Sequence, residues 1–502
     1  MNSKTTTHRL VGFAGLAVAF ASAPAGAQAT FEWLGNGDGQ SFSDSANWSP
    51  VGLPGTLDEA KFDSASSWVV TFSSNPFNAI TSIENDTVQF NLGTRTYTTR
   101  ALSVGERLGD VGMLTLQGGT FVTTTGLAQV GRLSPSTGTL HLTGGTALHT
   151  QRDLIIGDEG DGSLVIDAGS SATSLITFIA DEEGSSGDAV IRGLWTIQNS
   201  ALIGNSGDGA MTVEAGGDVV VGFETKVGDN DFSTGSLTVT GAGSTLTSTA
   251  PTTIGNFGTG SLVVSNGGLL TTAQLKIADD ATGSVLVSGG SIVDTVGTTV
   301  GNRATGSLTL ANGGTVQSPL VSVAPIGTLG GSGTIQGNVL SNGTTAPGST
   351  LGALQITGTY TQPLGTVNIQ IGGTTAGVNH DQIVVGGTAT LGGTLNVTLV
   401  NGFNPTDGEF VIVQGGTVTG TFAVENLPLG FSIAYEAGRV VVSIGDSSCI
   451  ADFNNDGFVD FFDVVAFLAV FNDGTPEADL NNDGVIDFFD VVAFLNEFTI
   501  GC

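Results

Sequence analysis

The chain has 502 residues, of which 78 are glycine, 45 are Asp or Glu and only 13 are Lys or Arg, for a formal net charge of −32. That balance repels nucleic acid and anionic membrane surfaces, which leaves cations, neutral glycans or other proteins as partners. Two cysteines, Cys449 and Cys502, lie at one end, so the body of the chain is held by its own core rather than by disulfides.

Residues 1–27 begin with Lys4 and Arg9, continue through an apolar run from Leu10 to Ala23 and reach Ala25-Gly26-Ala27, the pattern of a cleaved secretory signal. The run is too short and too rich in Ala and Gly for a membrane span. The expectation is an exported chain, secreted or at the cell surface, with no integral membrane segment of its own.

Residues 28–100 carry Phe31-Glu32-Trp33-Leu34-Gly35, Ala46-Asn47-Trp48-Ser49-Pro50, Leu53-Pro54-Gly55 and Asp58-Glu59-Ala60. A stacked β structure has an apolar end to cover, and two Trp in a short non-repeating segment suit a β cap; a sugar-stacking platform is the other use of Trp33 and Trp48.

From 101 to 325 one phrase recurs about every two dozen residues: aliphatic-Gly, a short polar turn, Gly-Ser-Leu, an alternating run, then a Gly pair. Val130-Gly131 with Gly138-Thr139-Leu140 and Ile254-Gly255 with Gly260-Ser261-Leu262 are clear copies, and Ile179-Ala180 with Gly187-Asp188-Ala189 is a weaker one. Each unit holds short runs of Val, Ile, Leu and Thr alternating with polar residues, a strand pattern with no helical period. Such a unit cannot bury its apolar face alone. Coil stacked on coil gives a continuous parallel β-helix with glycines at the corners, where a left-handed backbone or a close approach excludes Cβ. After each corner stand Glu106, Arg132, Asp158, Asp181, Asn205, Asp229, Asn256, Asp279 and Asn302, which bond their own turns or stack as a ladder; a calcium-binding edge is the alternative, because carboxylates one rung apart repel.

Residues 326–445 form a C-terminal β region, with Ile326-Gly327-Thr328-Leu329-Gly330-Gly331, Ala346-Pro347-Gly348 and Gly358-Thr359-Tyr360-Thr361-Gln362, then Asp381-Gln382-Ile383-Val384-Val385 and Leu391-Gly392-Gly393-Thr394-Leu395. With the Trp-rich opening and the repeats, this resembles secreted bacterial proteins carrying autotransporter-associated β-strand repeats. The resemblance implies a right-handed β-helix tapering into a β cap. It also implies a membrane β-barrel behind the passenger, for which the residues after Thr361 are too few.

Residues 446–502 are a compact acidic tail. Asp452, Asn454, Asp456, Asp460 and Asp463 stand at positions 1, 3, 5, 9 and 12 of a calcium loop, with Gly457 at the turn and Phe458 supplying a carbonyl at position 7. Asp479, Asn481, Asp483, Asp487 and Asp490 repeat the set 27 residues on, with Gly484 at the turn and Val485 supplying the carbonyl. Two copies in one register, each followed by an apolar run suited to a helix, predict two bound Ca2+. The only cysteines bracket the pair, so Cys449 and Cys502 are expected to form a disulfide that closes the tail.

The pair resembles a type I dockerin, whose loops end in Asp and keep only the exiting helix, here Phe462 to Phe471 and Phe489 to Phe498. The resemblance implies docking to a cohesin-like protein or cell-surface component through loop positions 10 and 11, which are Phe461-Phe462 and Phe488-Phe489. Phe462 and Phe489 are also expected to fill the core between the helices.

A polysaccharide lyase on such a rod needs carboxylates around calcium beside an Arg or Lys base, and a glycoside hydrolase needs two carboxylates across a groove. Arg107, Arg132, Arg152, Arg192, Lys226, Lys276 and Arg303 are scattered, and His141, His149 and His380 have no matching partner in the sequence. Asp158-Glu159 and Asp181-Glu182-Glu183 are the best groove candidates and read as solvated or calcium-bound turns. The expected protein is therefore mainly β, a right-handed parallel β-helix with β caps followed by a small α-helical paired calcium-loop domain. Its expected role is structural, adhesive or glycan-contacting without chemistry; the alternative is a carbohydrate-active enzyme acting in polysaccharide degradation.

Overall fold

The structure, a computed structural model, describes residues 28–348, 350–444, 450–454, 456, 458–481 and 483–500. Mainly β, it is a solenoid of about fourteen turns followed by two helices.

The repeat becomes a ladder because equivalent residues of successive units pair in parallel register. One column runs Ile83↔Val104, Val104↔Val130, Val130↔Ile156 and Ile156↔Ile179, and continues to Val300↔Val323. A second stacks Leu114, Leu140, Leu164, Ala189, Met211 and Leu237, so the weak copy at Ala189 keeps its place in the ladder. These side chains are at most 1% exposed. A third column passes from Ala172 to Trp195 to Val219, the small residue below making room for the indole above. Alternation along each strand sends every second residue inward, which is why a period-2 pattern within a two-dozen-residue period yields one unbroken core from Trp33 to Val442.

The ladder is not confined to 101–325. Strand Thr30–Trp33 already pairs in parallel with Glu59–Phe62, which pairs with Phe77–Ile83, and strand Thr87–Val104 runs straight across position 100. The first coils are filled by aromatic rings rather than small aliphatics. Trp33 and Trp48, 0% and 1% exposed, meet edge to face at 4.9 Å, and Phe42, Phe62, Phe72, Phe90 and Tyr97 continue the cluster. Neither Trp33 nor Trp48 is therefore free to stack on a sugar. At the other end the parallel ladder persists through Thr366–Ile371, Thr394–Leu399 and Val424–Asn426, and closes with antiparallel pairing of strand Arg439–Ile444 against Gly408–Gly420 and Phe431–Glu436.

The corner glycines answer a steric demand. Gly157 has φ +73°, and a Cβ there would lie 2.0 Å from the Ser186 carbonyl oxygen of the next coil. One corner inside the core is polar. Thr272 pairs with Asp294, which is 3% exposed and accepts a hydrogen bond from Thr298 Oγ1.

Among the described residues no helix is long and apolar enough to cross a membrane. The two helices, α1 (Phe461–Asp473) and α2 (Phe488–Ile500), begin one residue earlier than expected and end two beyond the predicted stops. Asp460 caps α1 through the Phe462 N–H in a reciprocal box with Asp463, and Gly474 at φ 67° ends it. Phe467 stacks on Phe494 with ring centroids 4.4 Å apart, and these two with Ala478 are the fully buried centre of a separate small core.

Candidate metal centre

The two acidic loops close on themselves with the same set of hydrogen bonds. In the first, Asp452 Oδ1 accepts from the Asp456 N–H at 3.0 Å, Asn454 Oδ1 from the same N–H at 2.8 Å, and Asp456 Oδ1 from the Phe458 N–H at 3.0 Å. In the second, Asp479 Oδ1 accepts from Asp483 N–H at 3.2 Å, Asn481 Oδ1 from the same N–H at 2.8 Å, and Asp483 Oδ1 from Val485 N–H at 2.8 Å. Asp460 and Asp487 each accept from the N–H two residues on, Phe462 at 2.7 Å and Phe489 at 2.8 Å.

The closing residues are the fixed points. Asp463 accepts from Asn454 N–H at 3.1 Å and Asp460 N–H at 2.8 Å; Asp490 accepts from Leu480 N–H at 2.9 Å, Asn481 N–H at 3.2 Å and Asp487 N–H at 2.8 Å. Both are 0% exposed. Burial works against ionising Asp463, but the N–H groups of Asp460, Asn454 and Phe453 outweigh it and hold the carboxyl below its ordinary value. Asp490 is likewise held low, first by the Asp487 N–H and then by those of Asn481 and Leu480. Each loop thus carries four Asp and one Asn, hard oxygen donors of the type that Ca2+ takes, although among the described residues no three carboxylates of either loop converge to within 4.8 Å of one another. Gly484 adopts φ +84° at the turn, whereas Gly457 lies outside the described residues. Phe458 and Val485 project outward, 70% and 56% exposed, so any contribution to the ion is through their carbonyls.

The structure corrects the expectation for the phenylalanine pairs. Phe462 and Phe489 do not enter the core; they are 65% and 66% exposed, beside Phe461 at 71% and Phe488 at 70%. The inward face of α1 is set by Asp463, Phe467 and Phe471, spaced four apart, and a residue one position earlier is turned about 100° away. The exposed face instead carries Phe461, Val465 and Leu468, and the corresponding positions of α2 are Phe488, Val492 and Leu495. Cys449 and Cys502, and with them the expected disulfide, lie outside the described residues.

Along the rod the corner residues form the side-chain ladder. Asn205 donates to Asp181, Asn256 to Asp229 and Asn302 to Asp279, each at 2.7 Å from the next coil, while Arg132 bridges to Glu106 at 2.7 Å. Carboxamides thus separate most of the carboxylates and hydrogen-bond to them from coil to coil. The exception is Asp158 beneath Asp181. Burial, with the charges of Asp158 and Glu182 adding to it, pushes Asp181 up to about 6. The scattered cations also find partners, Arg192 bridging Asp167 and Glu214 and Arg303 meeting Asp280 at 2.7 Å, and His141 Nε2 lies 2.7 Å from Asp167.

A second acidic group, Glu59, Glu84 and Glu106, comes together in the first coils, with one carboxylate oxygen of each within 4.8 Å of the others. Its members are spread over 48 positions of sequence, and only the coil register, in which Ile83 stacks on Val104, aligns them. No protein-family model matches this chain, and no curated protein matches it.

Proposed function

We propose that the chain is an exported, rod-shaped surface or matrix protein with a structural, adhesive or glycan-contacting role, attached to a protein partner through a calcium-loaded C-terminal module. The reading rests on the duplication of the two loops, whose Asp and Asn side chains accept from equivalent backbone N–H groups. Independent drift in an acidic tail does not produce two loops with matching side-chain acceptors, buried closing carboxylates and equally exposed Phe pairs 27 residues apart. The partner surface is apolar, because Phe461, Val465 and Leu468 follow i, i+4, i+7 spacing on α1 and their counterparts do so on α2. A cohesin-like protein is the partner class that the loop pattern implies. Near-identity of the two halves offers it two equivalent footprints.

Calcium has a defined job in this reading. Eight Asp side chains in two loops repel one another, and two divalent ions offset that repulsion while fixing the start of each helix, so binding energy becomes folding energy. The full chain should bind an immobilised panel of cohesin modules in calcium and lose that binding in chelator. Equal capture in both conditions, or no capture by any cohesin and no calcium uptake by the loops, overturns the proposal.

A further inference from the structure

An acidic cluster alone is not a site, but the one in the first coils contains buried oxygens with nothing to bond. Glu84 is 1% exposed, and its Oε1 has no hydrogen-bond partner. Its other oxygen is served, by Lys61 Nζ at 3.2 Å and Arg107 at 3.5 Å. Ser103, 6% exposed, also has an unpartnered hydroxyl oxygen. It stands in the same column as Ser82, one coil on, and the Ser82 hydroxyl donates to Glu59 Oε1 at 2.6 Å. Glu59 Oε2 accepts from Thr30, and Glu106 Oε1 from Arg132.

A carboxylate oxygen left buried and unbonded disfavours the charged form, which has given up water for nothing. The neighbouring cations do not remove that cost. Lys61 is drawn to Asp63 at 2.8 Å, closer than to Glu84, and Arg107 is 59% exposed and reaches only Oε2. Three carboxylates from three consecutive turns, with a serine hydroxyl in the column beside them, are a hard all-oxygen donor set.

We infer that Glu59, Glu84 and Glu106, with Ser103 adjoining, form a binding site for a hard divalent cation of the Ca2+ class that clasps the first coils of the rod. The ion lies against Glu84 Oε1, bridges Glu59 and Glu106 from the coils on either side, and leaves the Lys61 and Arg107 contacts to Oε2 in place. It adds to the ladder, and to the Lys61, Arg107 and Ser82 contacts, a further tie between the first described coils. This site is independent of the C-terminal loops.

The four tryptophans, Trp33, Trp48, Trp68 and Trp195, all belong to the rod, and the tail has none. Trp68 donates to Asp86, two residues beyond Glu84, at 3.0 Å. Terbium added to the full-length protein and excited through tryptophan therefore reports on the first coils and not on the loops. The expected result is saturable sensitised emission that Ca2+ competes away, with affinity reduced at least tenfold in Glu84→Gln and in Glu106→Gln, and unchanged in an Asp463→Asn, Asp490→Asn double variant. Glu106→Gln guards against a folding defect in the buried position, and unchanged far-UV circular dichroism certifies each variant. Absence of saturable emission from folded wild-type protein, or emission of wild-type affinity in both Glu variants, overturns the site. Loss of the emission in the loop variant alone would do the same.

Discussion

Phe494→Ala should turn the C-terminal module into one that folds only with calcium. The Phe494 ring is 1% exposed, lies over Phe467 at 4.4 Å with planes 8° apart, and receives Phe453 edge-on at 6.2 Å. Truncating a buried ring of this kind costs about 3–5 kcal/mol, the lost transfer energy plus the cavity left behind. A core of this size rarely supplies more than about 3–5 kcal/mol in total, and among the described residues its fully buried apolar cluster is just Phe467, Ala478 and Phe494. Without calcium the variant therefore has nothing left to hold α1 against α2. Free calcium at a hundredfold excess over the dissociation constant returns about 2.7 kcal/mol per site, about 5 for two sites, which is enough to restore the fold. Hydrogen exchange read by mass spectrometry in the full-length protein resolves this by peptide. Residues 461–473 and 488–500 should exchange freely in chelator and regain protection with calcium, while the solenoid strands keep theirs throughout. Wild-type protection of both helices in chelator would refute the packing argument, and no recovery at saturating calcium would refute the coupling of the loops to the helices.

Replacing Phe461, Phe462, Phe488 and Phe489 by Ser should leave stability within about 0.5 kcal/mol per site, because these side chains touch mainly solvent, yet abolish capture by the partner in surface plasmon resonance. Asp181→Asn tests the corner ladder. The folded carboxyl titrates near 6 against an ordinary 3.8, so the folded state binds the extra proton and stability falls as pH rises through that window; the amide, which already serves at Asn205 and Asn256, should add about 1–3 kcal/mol at pH 7 and nothing at pH 4 by urea unfolding. Asp381, pushed up to about 6 by burial although the N–H groups of Gln370 and Gly352 oppose it, contributes in the same direction, so the rod as a whole should melt higher at pH 5 than at pH 8. Gly157→Ala drives a Cβ into the Ser186 carbonyl and should disrupt that coil, whereas Gly169→Ala, at φ +82° with nothing within 4 Å, should cost only about 1–2 kcal/mol of backbone strain; equal melting temperatures for the two would refute the steric reading.

The solenoid was legible in the order of residues alone, because its signal is periodic and local. A residue such as Leu140 faces inward by alternation, its neighbours above and below are the same position one period away, and no distant information is needed to stack them. The turns of the two acidic loops were legible for the same reason, since Asp and Asn side chains that bond the backbone two residues on, with a turn glycine, act within twelve positions. The tertiary structure decided what depends on phase. Whether Phe462 is inside or outside turns on where α1 starts and which face Phe467 fixes, a matter of about 100° that apolar composition does not reveal. The corner residues read in sequence as a ladder, with an ion-binding edge as the alternative, and only the coil register shows that Asn205 falls one coil above Asp181 and donates to it. Glu59, Glu84 and Glu106 show the limit most plainly. Glu59 and Glu84 lie in the irregular opening and Glu106 at the first corner of the repeat, and only the parallel pairing of Phe62 with Ile83 and Ile83 with Val104 brings the three together, leaving a buried oxygen that no pattern of residue types announces.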